Sequence, residues 1–154
     1  MSDLSSELPS GAVSLRCVVD ASVAIKLFVE DELSERADDL FSLLAADPPA
    51  ELHVPDLFYI ECTNILWKYV RWAGMTPDTA HANLADLGRL MLFNTPTMEL
   101  MDKALGIAIE RSITAYDACY VALAEQLDVP LITGDEKLAN TVPSARWLGA
   151  FELR

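Results

Sequence analysis

Leu15-Arg16-Cys17-Val18-Val19-Asp20-Ala21-Ser22 is the stretch that decides the fold of this chain. A short apolar run rich in β-branched residues ends abruptly on an acid. It reads as a buried strand that delivers Asp20 to the edge of a sheet. The same pattern returns near the other end, in Val129-Pro130-Leu131-Ile132-Thr133-Gly134-Asp135. Pro130 has no amide hydrogen, so it fits only near the beginning of that strand. Both runs are continuously apolar rather than alternating, as in strands covered on both faces.

Between and beyond these strands, helical periodicity alternates with short extended runs. Ser22 to Glu30 reads as a short helix carrying Val23, Ile25, Leu27 and Phe28. Leu33 to Ala46 is amphipathic, with Leu33, Ala37, Leu40, Leu43 and Leu44 on one face. Asp47-Pro48-Pro49 breaks it. Leu52-His53-Val54-Pro55 is a strand that its proline terminates, and Asp56 is placed to cap a helix reaching Ala73 before Gly74. Thr76-Pro77-Asp78 opens the next helix, which runs to about Leu92. Pro96 to Glu99 reads as a weak strand or connector, followed by a helix over Leu100 to Arg111. Thr114 caps a further helix from Ala115 to Leu127. Glu136 to Asn140 is a helical turn, and Ala145 to Leu148 a last edge strand. The expected fold class is α/β: a three-layer α/β/α sandwich around a central parallel sheet.

The chain has 154 residues, enough for one core and one domain. Its mean hydropathy of +0.24 supplies ample core material. Residues 1–14 carry Ser, Pro and Gly without periodicity and read as a flexible lead-in, leaving residues 15–154 as the domain. The lead-in lacks a basic segment followed by an apolar one, so it does not resemble a signal peptide. No apolar run approaches the ~20 residues that span a bilayer. These features predict a soluble, cytoplasmic protein with no membrane contact. Cys17, Cys62 and Cys119 are odd in number, lie in apolar stretches and form no CxxC pair, which predicts buried free thiols. His53 and His81 have no cysteine spacing around them, which argues against zinc. The formal charge is −13, opposite in sign to the basic footprint of most nucleic-acid enzymes. That acidity belongs on solvated faces or on a surface for a basic partner.

Four acids stand beside residues that would otherwise be buried: Asp20, Glu61, Asp117 and Asp135. In an open parallel sheet ligands bind beyond the carboxyl ends of the strands. Asp20 and Asp135 follow strands directly. Asp117 falls in a first helical turn, and Glu61 in the second turn of its helix. Each has a structural alternative: a cap for Asp20, a partly exposed helix acid for Glu61, a dipole partner for Asp117, a turn residue for Asp135. Their convergence would raise at least one pKa sharply unless a cation were shared. Mg²⁺ or Mn²⁺ accepts such oxygen ligands, using one or two carboxylates directly, and activates water for attack on a phosphodiester. Ser22 and Thr133 are placed to hydrogen-bond those carboxylates or site water, and Asn64 shares a helix face with Glu61. Lys26 and Lys137 are candidates to meet substrate phosphate. Glu30-Asp31-Glu32 reads as a solvated loop, and Trp67, Tyr69 and Trp72 as core or interface.

At these residues the chain resembles the PIN-domain ribonucleases, and within them the VapC-type toxins of type II toxin–antitoxin systems. The resemblance runs from about Cys17 to Leu148. It is carried by Val19-Asp20-Ala21-Ser22-Val23-Ala24, Glu61-Cys62-Thr63-Asn64-Ile65-Leu66 and Leu131-Ile132-Thr133-Gly134-Asp135-Glu136-Lys137-Leu138. Thr114-Ala115-Tyr116-Asp117-Ala118-Cys119-Tyr120-Val121-Ala122-Leu123-Ala124 is its most specific part. The resemblance implies a PIN-like fold over residues 15–154 and Mg²⁺- or Mn²⁺-dependent endonucleolytic cleavage of RNA. It implies metal-binding and catalytic roles for Asp20, Glu61, Asp117 and Asp135, with Ser22, Asn64 and Thr133 in support. It further implies a homodimer and a cognate antitoxin over the groove.

Two other classes compete. One is a catalytically silent PIN-fold binding module whose acidic surface docks a basic partner. The other is a phospho-acceptor or phosphatase using Asp20, which would want a second acid close to the first strand; Asp20-Ala21-Ser22-Val23 lacks it. The sequence has no GxxxxGK[ST] and no GxGxxG after a strand.

Overall fold

The computed structural model describes residues 14–153. The expected lead-in over residues 1–14 falls almost wholly outside them. Five parallel strands form one sheet: β1 (Arg16–Val19), β2 (Glu51–Pro55), β3 (Phe93–Thr95), β4 (Leu131–Thr133) and β5 (Ala145–Trp147). Among the described residues seven α-helices accompany them: α1 (Ala21–Ala24), α2 (Ser34–Ser42), α3 (Leu57–Trp72), α4 (Pro77–Gly88), α5 (Met101–Arg111), α6 (Ala115–Leu127) and α7 (Glu136–Thr141). The layers are those of the α/β/α sandwich expected.

The strand order is β3-β2-β1-β4-β5. The chain therefore winds outward on one side of β1, then returns to build the other side from β4. The gap beyond the carboxyl ends of β1 and β4 is the switch point, where such sheets open a crevice. Val18 pairs with Leu131 and Val19 with Ile132, so the residues following each strand emerge side by side.

Burial explains why these runs became strands. Cys17, Val18, Val19, Leu131 and Ile132 are fully buried. Seven consecutive residues of α6, Ala118 to Ala124, are buried as well. That helix is covered by β1, β2 and β4 on one side and by α5 on another, which leaves no room for the polar stripe of a surface helix. Cys17, Cys62 and Cys119 are buried free thiols. Burial pushes the Cys17 and Cys62 thiols up to about 12, so they stay protonated.

Several boundaries differ from expectation. The third strand is Phe93–Thr95, and Pro96 to Glu99 is the connector rather than the strand of the two alternatives, with Pro96 leading into a 3-10 turn over Thr97–Leu100. Thr76 caps α4 as expected, accepting from the Thr79 amide at 3.1 Å, but the helix stops at Gly88, short of Leu92. Asp56 adopts helical dihedrals and does not cap α3. Its carboxylate instead accepts from the amide and hydroxyl of Thr97, joining the start of α3 to the 3-10 turn. Gly74, at φ +76°, supplies the left-handed turn that ends α3. Trp67 and Trp72 are not core: they are 52% and 67% exposed and meet edge to face, with ring centroids 5.2 Å apart. Glu30, Asp31 and Glu32 are exposed in a loop, as expected, and there the Asp31 carboxylate accepts from the Leu33 amide at 2.8 Å and pairs with Lys26 at 2.7 Å.

Candidate active site

Asp20 sits where β1 hands over to α1. The residue is 7% exposed. Oδ1 accepts from the Ser22 hydroxyl at 2.5 Å and from the Val23 amide at 3.3 Å. Cap and site are thus one residue: Asp20 opens α1 and faces the switch point. Burial pushes its carboxyl up to about 6. The hydroxyls of Ser22 and Thr133 and the Val23 amide pull it back, and the charge of Asp117 pushes it further up.

Ser22 ties β1 to β4. While donating to Asp20 it accepts from the Gly134 amide at 2.8 Å, and its oxygen lies 3.5 Å from Thr133 Oγ1. The close approach explains the glycine. A Cβ on Gly134 would lie 3.0 Å from Ser22 Oγ and 3.3 Å from the Ser22 carbonyl oxygen. Thr133 is fully buried, and its Oγ1 accepts from the Asp135 amide at 3.0 Å. Asp135 in turn caps α7, accepting from the Leu138 amide at 3.2 Å. Its side chain is exposed.

Asp117 occupies the first turn of α6, where Thr114 caps the helix by accepting from the Asp117 amide at 3.1 Å. Burial and then the Asp135 charge raise its pKa; the Thr114 hydrogen bond opposes them. Glu61, half-buried on the second turn of α3, accepts a hydrogen bond from the Tyr120 hydroxyl at 2.6 Å. Burial raises its carboxyl, Tyr120 lowers it, and Asp117 raises it. Asp117 is therefore the hub: its charge is felt by Asp20 and Glu61, and it feels that of Asp135. Asn64 is exposed and lines a groove with Leu57, Ile60, Glu61 and Tyr116.

The four sequence-selected acids thus come to one end of the sheet from four separate elements, and Ser22 and Thr133 support Asp20. Two features set the chemistry. Among the described residues none of the four acids has an ion-pair partner; Lys26 is committed to Asp31, and Lys137 stands exposed on the rim beside Asp117 and Asp135. Also among the described residues, no three His, Cys, Asp or Glu side chains are placed to hold an ion together. The acids neighbour one another without closing a cage. The donor set is oxygen throughout and includes no cationic side chain, which suits a hard divalent ion, and Mg²⁺ needs only one or two direct carboxylates. Tyr120 was not singled out from sequence; its position three residues after Asp117, on the same helix face, is the signal that could have found it.

Residues 17–142 match the family profile of the PIN domain. The chain is 36% identical over 132 residues to Ribonuclease VapC3 of Pyrobaculum aerophilum, covering 84% of this chain and 97% of that one. Among solved structures it is similar to PAE2754 of Pyrobaculum aerophilum, with a TM-score of 0.66 and 26% identity over 91% of this chain and 88% of that one. It shares its fold with a chain from a toxin–antitoxin complex of Klebsiella pneumoniae, at a TM-score of 0.60 and 16% identity over 84% and 95%. The profile match and the five-stranded parallel sheet flanked by helices agree on the class of protein, a PIN domain. The chain belongs to that family and, within it, to the VapC ribonucleases. Among the described residues no helix is long and apolar enough to cross a membrane.

Proposed function

We propose that this chain is a Mg²⁺- or Mn²⁺-dependent endoribonuclease that hydrolyses RNA phosphodiester bonds, and that it is the toxin of a toxin–antitoxin pair. One observation carries the reading. Four carboxylates from β1, α3, α6 and the β4–α7 turn gather at the switch point without a basic partner among the described residues. A buried carboxylate such as Asp20, left unpaired, destabilises the fold; function is the reason to keep it.

Asp20, Asp117, Glu61 and Asp135 would hold the ion, directly or through water. A bound divalent cation lowers the pKa of water and neutralises charge on the reacting phosphate. The chain's own residues prepare the place. Ser22 and the Val23 amide fix the Asp20 carboxylate, and Thr133 and Gly134 hold Ser22 and Asp135 in register with it. Asn64 lines the approach from the α3 side and Lys137 from the α7 side, where a phosphate backbone would pass. The likeness to VapC ribonucleases supports RNA as substrate, a cognate antitoxin as partner, assembly as a homodimer and action in the cytoplasm.

Incubation with structured RNA, with Mg²⁺ or Mn²⁺ and with EDTA, tests this. Cleavage that needs the cation and disappears in Asp20→Asn supports it. Full activity of Asp20→Asn in a clean preparation removes Asp20 from the chemistry.

A second reading has its own support in the open spacing of the acids and the −13 charge. It is a catalytically silent PIN-fold module whose acidic surface docks a basic partner. Absence of Mn²⁺ binding at millimolar concentration would select it.

A further inference from the structure

Glu61 is the least constrained by its own element of the four acids. It projects from the second turn of α3 and caps nothing. Its side chain has three rotatable bonds, so without a partner it would sample several rotamers, and ordering it would oppose ligand binding. The structure supplies one partner. Tyr120, 2% exposed and one helical turn beyond Asp117, donates its hydroxyl to Glu61 Oε1 at 2.6 Å. That length belongs to a charge-assisted hydrogen bond. Among the described residues no protein group hydrogen-bonds Glu61 Oε2, and none pairs ionically with Glu61.

We propose that Tyr120 is a positioning residue for the cation site: by holding Oε1 of Glu61 it directs Oε2 to the ion or its water. The inference rests on the metal reading given above. Tyr120 touches neither substrate nor ion. It acts through Glu61, as a hydrogen-bonded outer partner orients a metal ligand. The contrasting role is a tie between α3 and α6 that matters only for folding. The two roles differ in what Tyr120→Phe does to metal affinity, since the ring and its packing remain.

The test is calorimetric titration of Mn²⁺ into the EDTA-stripped full chain, for wild type, Tyr120→Phe, Glu61→Gln and the double variant, with urea unfolding in EDTA alongside. Tyr120→Phe is expected to unfold near the wild-type midpoint and to bind Mn²⁺ roughly 10–100-fold more weakly. In the Glu61→Gln background the same change is expected to add nothing, because there is no carboxylate left to direct. Wild-type affinity in Tyr120→Phe overturns the proposal while leaving the metal reading intact. So does a double variant whose loss is the product of the two single losses. A Tyr120→Phe chain that does not fold in EDTA assigns Tyr120 to the fold and overturns it as well. If wild type itself binds no Mn²⁺, the metal reading and this inference fall together.

Discussion

Asp20→Asn should stabilise the metal-free protein at neutral pH while abolishing cleavage. Asp20 is 7% exposed, and its carboxyl is pushed up to about 6, against an ordinary 3.8. Below about pH 4 it is protonated both folded and unfolded and contributes no pH dependence. Between about pH 4 and pH 6 the folded protein holds this proton more tightly than the unfolded chain, so stability falls as pH rises. Above about pH 6 the loss is complete. The difference between about 6 and 3.8 corresponds to about 3 kcal/mol. Asparagine has nearly the same shape and keeps an oxygen for Ser22 and the Val23 amide, so it escapes the charge burial without leaving a cavity. Urea unfolding in EDTA is the assay. At pH 7.5 the variant should exceed wild type by on the order of 3 kcal/mol, and the gap should close near pH 4. Because Glu61 and Asp117 titrate in both proteins, the difference between the two curves isolates most of the Asp20 contribution. Mn²⁺ at about 1,000 times its Kd should then reverse the ranking, since it adds ~4.1 kcal/mol to whichever protein binds it, more than the gap. A variant less stable than wild type in EDTA, or a gap independent of pH, refutes the reasoning.

Other perturbations separate site from scaffold. Gly134→Ala should lose roughly 1–3 kcal/mol by denaturant unfolding, because its Cβ would press on Ser22 side chain and backbone and on Lys26. Its RNA cleavage should fall further than that stability loss accounts for. Thr114→Ala and Thr76→Ala each remove a helix cap and should each cost about 1 kcal/mol. Only Thr114→Ala should slow RNA cleavage, since its cap bond ends on the Asp117 amide; equal activities would show that the cap does not position Asp117. Leu123→Ala, in the fully buried face of α6, should cost about 2–5 kcal/mol in urea unfolding and leave Mn²⁺ affinity of the folded fraction unchanged.

What could be read from the chain follows burial. β1 and β4 announce themselves because both faces are covered: Cys17, Val18, Val19, Leu131 and Ile132 are apolar and buried, with only Arg16 exposed at the start of β1 and Thr133 polar at the end of β4. β3 does not: Phe93-Asn94-Thr95 is a three-residue edge strand with two exposed side chains, defined only by its pairing with β2. Local capping rules found Thr76 and Thr114, whose partners lie three residues away. They misplaced Asp56, whose carboxylate is taken by Thr97, 41 residues on. Trp67 and Trp72 look like core by composition, yet they fall on the outer side of α3. The four acids were legible because each interrupts an apolar run. Their spacing was not, because it depends on where α3 and α6 pack. Nor was the Tyr120–Glu61 hydrogen bond, which joins two helices 59 residues apart in sequence.

Crystals soaked in Mn²⁺ and measured for anomalous diffraction put the central assertion to its most direct test. A peak is expected at the carboxyl end of β1 and β4, within coordinating reach of Asp20 or Asp117 and beside Glu61 and Asp135. No peak there at millimolar Mn²⁺, or a peak only at other acids such as Asp31 and Glu32, would contradict it.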